Sequence, residues 1–405
     1  MLFNNIIGQQ ATKQKLVDML QHNRLSHALL FLGKEGSGAL PLAMAFANYV
    51  SLYYTATKPS ANLFGEAETT TTLTTNTSTQ TTPNEADDYI MQHQAYSKIS
   101  GMQHPDIHYT YPIITKKNTD KPLSSLWAKE WRAFIKEQPY GNAYDWLQFI
   151  GAENKQGNIS ALECNDIIYK LSLKSFESEF KILILWMPEF LGKEGNKLLK
   201  LIEEPPPNTL FIFVAESEEA ILDTILSRTQ LVRVPLPTDE EIIQHLRTHT
   251  DVVQAMQVTA LAEGNVRAAL QILQQPESDW LLLVRASFNA IKQTGPTGMM
   301  QWVATMAELG REKQKQYLRY TLHLFEYTIK YQILGTSMPQ LTNAEFEFIQ
   351  KLSNFATIDS VEEMAKLVND QIYTIERNAN AKMLFHALII KLYHIVGNKH
   401  VILIH

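Results

Sequence analysis

The stretch Ala28-Leu-Leu-Phe-Leu-Gly33-Lys-Glu-Gly36-Ser-Gly38-Ala-Leu-Pro-Leu-Ala43 decides how the chain is interpreted. Residues 28–32 form a short apolar run that ends at a glycine, which is typical of a buried parallel strand. Gly33, Gly36 and Gly38 then follow at the spacing of a phosphate-binding loop, where backbone N–H groups surround phosphates and side chains would obstruct them. The pattern predicts a buried strand, a phosphate-type loop and a helix.

The two positions after the last glycine lack the side chains that a working loop needs. A nucleotide-hydrolysing loop continues with Lys, which reaches the β- and γ-phosphates, and then with Ser or Thr, which binds Mg²⁺. Here these positions hold Ala39 and Leu40. The residues favour a degenerate nucleotide loop that is no longer functional, and the alternative is an ordinary glycine-rich turn.

A second loss follows the predicted strand at residues 181–185. In a phosphate-loop ATPase the end of such a strand carries an Asp for the magnesium shell and a Glu that orients the attacking water. Trp186 occupies the Asp position, and Glu189 is interpreted as the N-terminal residue of a helix. The two losses agree, so we expect no ATP hydrolysis by this chain itself.

Composition limits the class of protein. The 405 residues are 45% hydrophobic and carry a formal charge of -6, which indicates two or three soluble domains and argues against a protein that coats nucleic acid. Cys164 is the single cysteine, which excludes an intramolecular disulfide and a Cys-rich metal site. The N-terminus has no signal-peptide pattern and no long apolar run occurs elsewhere, so we expect a cytoplasmic protein that does not enter the membrane.

A Thr-, Asn- and Ser-rich tract near residues 55–86 is predicted to be a disordered loop, since it has few residues that could join a core. A specific binding element is the alternative. His104-Pro105-Asp106 is interpreted as a turn before a strand and not as a metal site. Seven aromatic residues are predicted to be core anchors and not bases for stacking nucleotides: Trp127, Trp131, Phe134, Tyr140, Tyr144, Trp146 and Phe149.

Two longer motifs carry a resemblance to a known family. They are Asn196-Lys-Leu-Leu-Lys-Leu-Ile-Glu-Glu-Pro-Pro206, with the predicted strand that follows, and Thr224-Ile-Leu-Ser-Arg-Thr-Gln230. Together with Gly8-Gln9 and the segment 24–33, they resemble the clamp-loader branch of the AAA+ ATPases over about residues 1–275. The resemblance implies an α/β core with a parallel sheet and helices on both faces at 1–235, a small helical lid at 236–275 and an all-α collar that holds subunits together at 276–405.

The degenerate loop makes the chain similar to the non-hydrolysing members of that branch. The resemblance implies a five-membered ring with ATPase subunits of the gamma/tau type and a delta subunit, which places a sliding clamp on primed DNA. Arg228, supported by Ser227, matches the position of the arginine finger that the family supplies to its neighbour's ATP site. Thr229 replaces the family's Cys in this motif, and a surface salt bridge is the alternative role for Arg228.

Two further expectations come from the resemblance. Family members commonly carry a four-cysteine zinc module in the region of the Thr-rich tract, and with Cys164 alone we expect no zinc and no other metal. Gly264–Leu270 resembles the family's second sensor motif, in which Arg267 either touches a γ-phosphate or has a structural role. An active AAA+ ATPase and an adaptor for another replication or repair complex remain as alternative functions.

Overall fold

In a computed structural model of the chain, the residues described are 1–53, 81–115, 122–152, 157–274, 278–335, 341–376 and 380–397. The chain divides into two compact units. The first contains residues 1–245 and 264–268, and the second contains residues 246–263 and 269–405. The division into core, lid and collar at residues 235 and 275 stays a prediction.

The first unit is built on a five-stranded sheet in which every pair of neighbouring strands is parallel. The strand order is β2-β3-β4-β1-β5. The strands are β1 Ala28–Leu32, β2 Ile107–Thr110, β3 Lys181–Trp186, β4 Thr209–Ala215 and β5 Gln230–Arg233. β3 and β4 are buried along their whole length, as expected for strands covered on both faces.

Helices cover both faces of this sheet. They are α1 Gln10–Gln21, α2 Ala39–Tyr53, α3 Pro83–Gln92, α4 Tyr96–Ser100, α5 Ala128–Glu137, α6 Ala143–Phe149, α7 Ala161–Ser172, α8 Leu199–Glu203, α9 Asp223–Leu226 and α10 Asp239–Leu246. Leu29 and Phe31 face one apolar cluster while Ala28 and Leu30 face the other, because side chains alternate along a strand. This architecture confirms the predicted α/β class for the first part of the chain.

The aromatic residues of the first unit are mostly core residues, as predicted. Trp131, Phe134 and Trp146 are buried in one cluster. Tyr111 stacks on Trp131 with ring centroids 4.0 Å apart and meets Trp146 edge-on. Such packing fills the space between α5, α6 and the sheet, and leaves these rings inaccessible to nucleotide bases.

Two local predictions are tested by the structure. The carboxylate of Asp106 accepts hydrogen bonds from the backbone N–H groups of residues 176–178 at 2.6–2.7 Å, which fits a turn and not a metal site.

The Thr-rich tract was predicted to extend to Ala86, and this limit is wrong because α3 begins at Pro83. Thr82 caps α3 by accepting from the Glu85 N–H while the Glu85 carboxylate accepts from the Thr82 N–H. The rest of the predicted tract, up to residue 80, falls mainly outside the described residues.

The second unit is helical throughout its described part, which confirms the all-α class predicted there. It contains α11 Val252–Ala262, most of α12 Val266–Leu273, and α13 Ser278–Asn289, α14 Gly295–Glu308, α15 Arg311–Leu334, α16 Asn343–Ser353, α17 Ile358–Glu376 and α18 Ala381–Val396. Its core includes Trp302, Tyr317 and Phe385, which pack edge to face or tilted at 5.7–6.4 Å. Within the described parts of both units, none of the helices has the length and apolar character that crossing a bilayer requires.

Candidate functional site

The loop between β1 and α2 has the glycine conformations of a phosphate loop, but protein contacts alone account for its glycines. Gly36 and Gly38 have φ angles of 77° and 84°. A Cβ atom on Gly36 would lie 2.0 Å from Oδ1 of Asn265, and one on Gly33 would lie 2.4 Å from Oγ of Ser37. The chain itself therefore requires glycine at these positions, with or without a phosphate.

The space above the loop is small. Tyr140, Trp186 and Met187 line it together with the loop, and the half-open cavity there measures about 30 Å³. This volume holds one or two water molecules, whereas ligand pockets commonly measure several hundred Å³. Tyr140 is held in place because its hydroxyl accepts a 2.8 Å hydrogen bond from the Ile7 N–H. The cavity at the loop is therefore much smaller than a typical ligand pocket.

The positions that would hold Lys, Ser or Thr and Asp in a working site are apolar and buried. Ala39 is 7% exposed, Leu40 is 5% exposed, and Trp186 packs against Trp131 in the core. In the part of the chain that the structure describes, no three His, Cys, Asp or Glu residues are close enough together to hold a metal ion. Cys164 is buried, with its Sγ 3.6 Å from the carbonyl oxygen of Glu194.

Glu189 lies in the first turn of a 3₁₀ helix, Pro188–Leu198, as the sequence indicated. Its Oε1 accepts hydrogen bonds from the backbone N–H groups of Glu216 and Ser217 at 2.7 and 3.0 Å. Burial raises the pKa of this carboxyl group. The carboxylate thus secures the segment after β4, a role that needs no water or metal ion.

Arg267 is bound by carboxylates of its own chain. The side chain is 4% exposed. Its Nε and Nη2 donate to the two oxygens of Asp145 at 2.5 and 2.6 Å, and its Nη1 donates to Oε1 of Glu35 at 3.0 Å. Charge-assisted bidentate pairs of this kind are among the strongest polar contacts in proteins. The guanidinium group that could meet a γ-phosphate is already engaged by two carboxylates.

Two asparagines complete this polar cluster around Glu35. The side-chain amides of Asn142 and Asn265 donate to the Glu35 carboxylate at 2.8 and 3.0 Å. Each asparagine also caps a helix, because Asn142 Oδ1 accepts from the N–H of Asp145 and Asn265 Oδ1 from that of Ala268. The cluster ties the loop to the starts of α6 and α12. Sequence analysis included Asn265 only within the motif at 264–270 and did not identify Glu35, Asn142 or Asp145, whose separation along the chain gives no local signal.

Arg228, unlike the buried Arg267, lies partly exposed to solvent. It follows α9, and its side chain is 34% exposed. Its Nε donates to Oε1 of Glu203 at 2.6 Å, and its Nη2 forms an ion pair with the same oxygen. Its Nη1 donates to the carbonyl oxygen of Thr224 at 2.7 Å and to the hydroxyl of Ser227 at 3.1 Å. The predicted supporting residue Ser227 does contact Arg228, and Glu203 is a partner that sequence analysis did not assign.

These features define a class: a parallel α/β unit with a glycine-rich loop after its first strand, in which Ala39 and Leu40 stand where a phosphate loop carries Lys and Ser or Thr, joined to a helical unit. The family model described as "DNA polymerase III, delta subunit" matches residues 8–238, more than half of the chain. The chain therefore belongs to this family.

Individual relatives agree with this assignment. The chain is 39% identical over 83 residues to a DNA polymerase III subunit delta' from Haemophilus influenzae, an alignment that covers 20% of this chain and 25% of that protein. It is 23% identical over 271 residues to the subunit delta' of Bacillus subtilis, covering 66% of this chain and 60% of that protein. The chain spans 25–60% of the length of the curated relatives that it matches. These matches confirm the resemblance to the clamp-loader branch and to its delta prime subunits.

One solved structure was also compared with the chain. A DNA polymerase III gamma subunit-related protein from Thermotoga maritima aligns with 96% of this chain and 100% of its own, at 12% identity and a TM-score of 0.38.

Proposed function

We propose that this chain is a non-hydrolysing, delta prime-like subunit of the clamp loader of the replicative DNA polymerase III in the cytoplasm. It joins ATPase subunits of the gamma/tau type and a delta subunit in a ring. There it supplies Arg228 to the ATP site of a neighbour and so helps to load the sliding clamp onto primed DNA. The chain itself needs no bound nucleotide, magnesium or zinc, and ATP is bound by its neighbours.

The observation that carries the proposal is the contrast between the two arginines. Arg267, which belongs to the chain's own remnant nucleotide site, is buried and paired with Asp145 and Glu35. Arg228 lies at the surface just after α9, the short helix between β4 and β5. A subunit that has lost its own site but keeps a partly exposed arginine can still act on a phosphate bound by another chain.

The test is the substitution Arg228→Ala in a complex reconstituted with the ATPase subunits, the delta subunit, the clamp and primed DNA. An arginine finger is worth about 10³–10⁵ in rate at one phosphoryl-transfer site. The other ATP sites of the ring would hide much of this loss in total turnover, so we expect a clear but partial drop. Arg228→Lys should restore little, because an ammonium group lacks the planar fork of donors.

The matched control is Arg233→Ala, which removes another exposed arginine near the end of β5. It should leave turnover and assembly unchanged. Arg267→Ala is less suitable as a control, because it breaks a buried ion pair. If complexes with Arg228→Ala hydrolyse ATP and load clamps at the wild-type rate with saturating clamp and DNA, Arg228 does not act in trans.

A further inference from the structure

The guanidinium of Arg228 is held by two short segments that are anchored in the same apolar cluster. Ile202 on α8 and Ile225 on α9 are both buried there. Glu203 and Arg228 follow these residues by one and three positions. α8 ends at Glu203, one residue before Pro205-Pro206-Pro207, which cannot continue a helix and restricts the backbone. The carboxylate and the guanidinium are therefore brought together by rigid backbone, although both side chains lie at the surface.

The partners of Arg228 accept hydrogen bonds from particular N–H groups of its guanidinium. A guanidinium has five N–H groups. Glu203 takes those of Nε and one on Nη2, along the side of the group, and the Thr224 carbonyl takes one on Nη1. The remaining N–H groups belong to Nη1 and Nη2, which form the end-on fork of the side chain. The Ser227 hydroxyl, at 3.1 Å from Nη1, is the one uncharged side-chain partner among these contacts.

We propose that Glu203 is a positioning residue for Arg228. It fixes the guanidinium from the side so that the end-on fork formed by Nη1 and Nη2 is presented to a phosphate bound by the neighbouring subunit. This inference rests on the proposed function. The phosphate oxygen replaces the neutral hydroxyl of Ser227 as a partner of Nη1, while the charged contact to Glu203 stays in place.

Glu203 affects the rate because it orients the guanidinium of Arg228 before the reaction. An arginine side chain has many rotamers, and ordering it at the moment of reaction lowers the rate. A partner that holds the guanidinium beforehand removes this cost, and small displacements of a group that contacts the reacting phosphate reduce rates strongly. Glu203 adds no charge to the phosphate site that would help the reaction. Its effect must therefore pass through Arg228.

The experiment is a double-mutant cycle in the reconstituted complex described above, with kcat and KM for ATP measured separately. We expect Glu203→Ala to lower kcat by about tenfold at the site that receives Arg228, with KM changed by less than about twofold, because orientation matters in the transition state. Glu203→Gln should be intermediate, since it keeps an acceptor oxygen without the charge. In the Arg228→Ala background, Glu203→Ala should have no further effect.

The matched control is Glu204→Ala, which removes the neighbouring exposed carboxylate. Complexes with this change should turn over ATP at the wild-type rate. Melting temperature and ring assembly should be the same for all five variants, including the double variant, which separates positioning from a structural role.

Each of the following results would overturn the inference. If Arg228→Ala lowers kcat and Glu203→Ala leaves it unchanged or raises it, Glu203 does not position Arg228, and the proposed function stands. A further drop on adding Glu203→Ala to Arg228→Ala would mean that Glu203 acts independently. A loss of assembly or melting temperature that accounts for the lower rate would make Glu203 structural. If neither single variant changes kcat, the proposed function itself fails.

Discussion

Arg267 and Arg228 carry the same chemical group in opposite surroundings. Arg267 is buried and meets two carboxylates, so its charge is neutralised within the chain. Arg228 shares one surface carboxylate and stays partly exposed to solvent. A buried ion pair resists separation because each charge would be left without solvent, whereas an exposed pair exchanges easily for another charged partner. Arg267 is therefore suited to stabilising the fold, and Arg228 is suited to contacting another molecule.

The structural role of Arg267 can be measured by Arg267→Ala. The change leaves the buried carboxylate of Asp145 without its bidentate partner, and removing one member of a buried pair costs about 3–5 kcal/mol. We expect the free energy of unfolding in a urea titration of the isolated chain to fall by this amount. Arg233→Ala, at an exposed position, should change it by less than about 0.5 kcal/mol.

If Arg267→Ala lowers the free energy of unfolding by less than about 1 kcal/mol, the ion pairs contribute little and the loop is held by its packing. The double variant Arg267→Met with Asp145→Leu gives an independent measure. Because it removes both charges together, it should cost less than Arg267→Ala alone.

The motif at residues 264–270 identified Arg267 from sequence but left its role open. The partners that decide the role are Asp145 and Glu35, which lie 122 and 232 residues away along the chain. Glu35 is one polar residue among others in a glycine-rich loop, and Asp145 is one carboxylate in a helix start. No local pattern links them to Arg267, so their association appears only when the strands and helices are assembled.

At the scale of elements, the strands were easier to predict than the short helices. β1, β3 and β4 are mostly apolar runs of five to seven residues, and the predicted limits of β1 and β3 agree with the structure to within one residue. Such runs can be recognised because a strand buried on both faces has no polar side to its pattern. The 3₁₀ helix Pro188–Leu198 contains Gly192 with a φ of 50° and has no such periodicity.

α3 shows why the end of the Thr-rich tract was placed too late. Its first turn is polar, and what starts the helix is the reciprocal cap between Thr82 and Glu85. Asp87, which lies one turn further on, is fully buried and accepts hydrogen bonds from the N–H groups of Phe3 and Asn4 at 2.8 and 2.7 Å. A long-range contact to the N-terminal segment therefore holds an element that looks unstructured from its own composition.

This contact leads to a prediction for α3. Asp87→Ala removes the acceptor for two backbone N–H groups, and each buried donor left without a partner costs about 1–3 kcal/mol. We expect a lower free energy of unfolding, together with faster hydrogen exchange at the amides of Phe3 and Asn4. The matched control is Asp88→Ala, since Asp88 is the adjacent carboxylate and is exposed. Equal effects of the two substitutions would show that Asp87 does not anchor α3.

At the scale of the whole molecule, two compact units carry different parts of the proposal. The first contains the remnant loop, Arg228 and Glu203, and the second is a helical unit in its described part. The sequence predicted this order of classes because an apolar strand pattern gives way to helical periodicity after about residue 235. The role of the second unit as a collar, the absence of zinc and the disorder of the tract near residues 55–80 remain predictions.

In the proposed function, the loss of ATP hydrolysis involves several positions of the first unit, so restoring two of them should not restore activity. Ala39→Lys together with Leu40→Thr would restore the two side chains that the loop lacks. Trp186 would still occupy the metal-holding position, and Arg267 would still be paired with Asp145 and Glu35. We therefore expect the double variant to have a lower melting temperature than the wild type and no ATPase activity.

The measurement is Mg²⁺-dependent phosphate release by the purified chain alone, with the same samples in EDTA as the background. The wild type should stay at that background because Ala39, Leu40 and Trp186 replace the working side chains and Arg267 is engaged, and the double variant should stay there because Trp186 and the pairing of Arg267 remain. Turnover by the wild type would end the non-hydrolysing proposal. Turnover by the double variant alone would have a different meaning: the first unit would still be able to form a nucleotide site, and the loss of function would lie in Ala39 and Leu40 alone, with Trp186 and the pairing of Arg267 as tolerated differences.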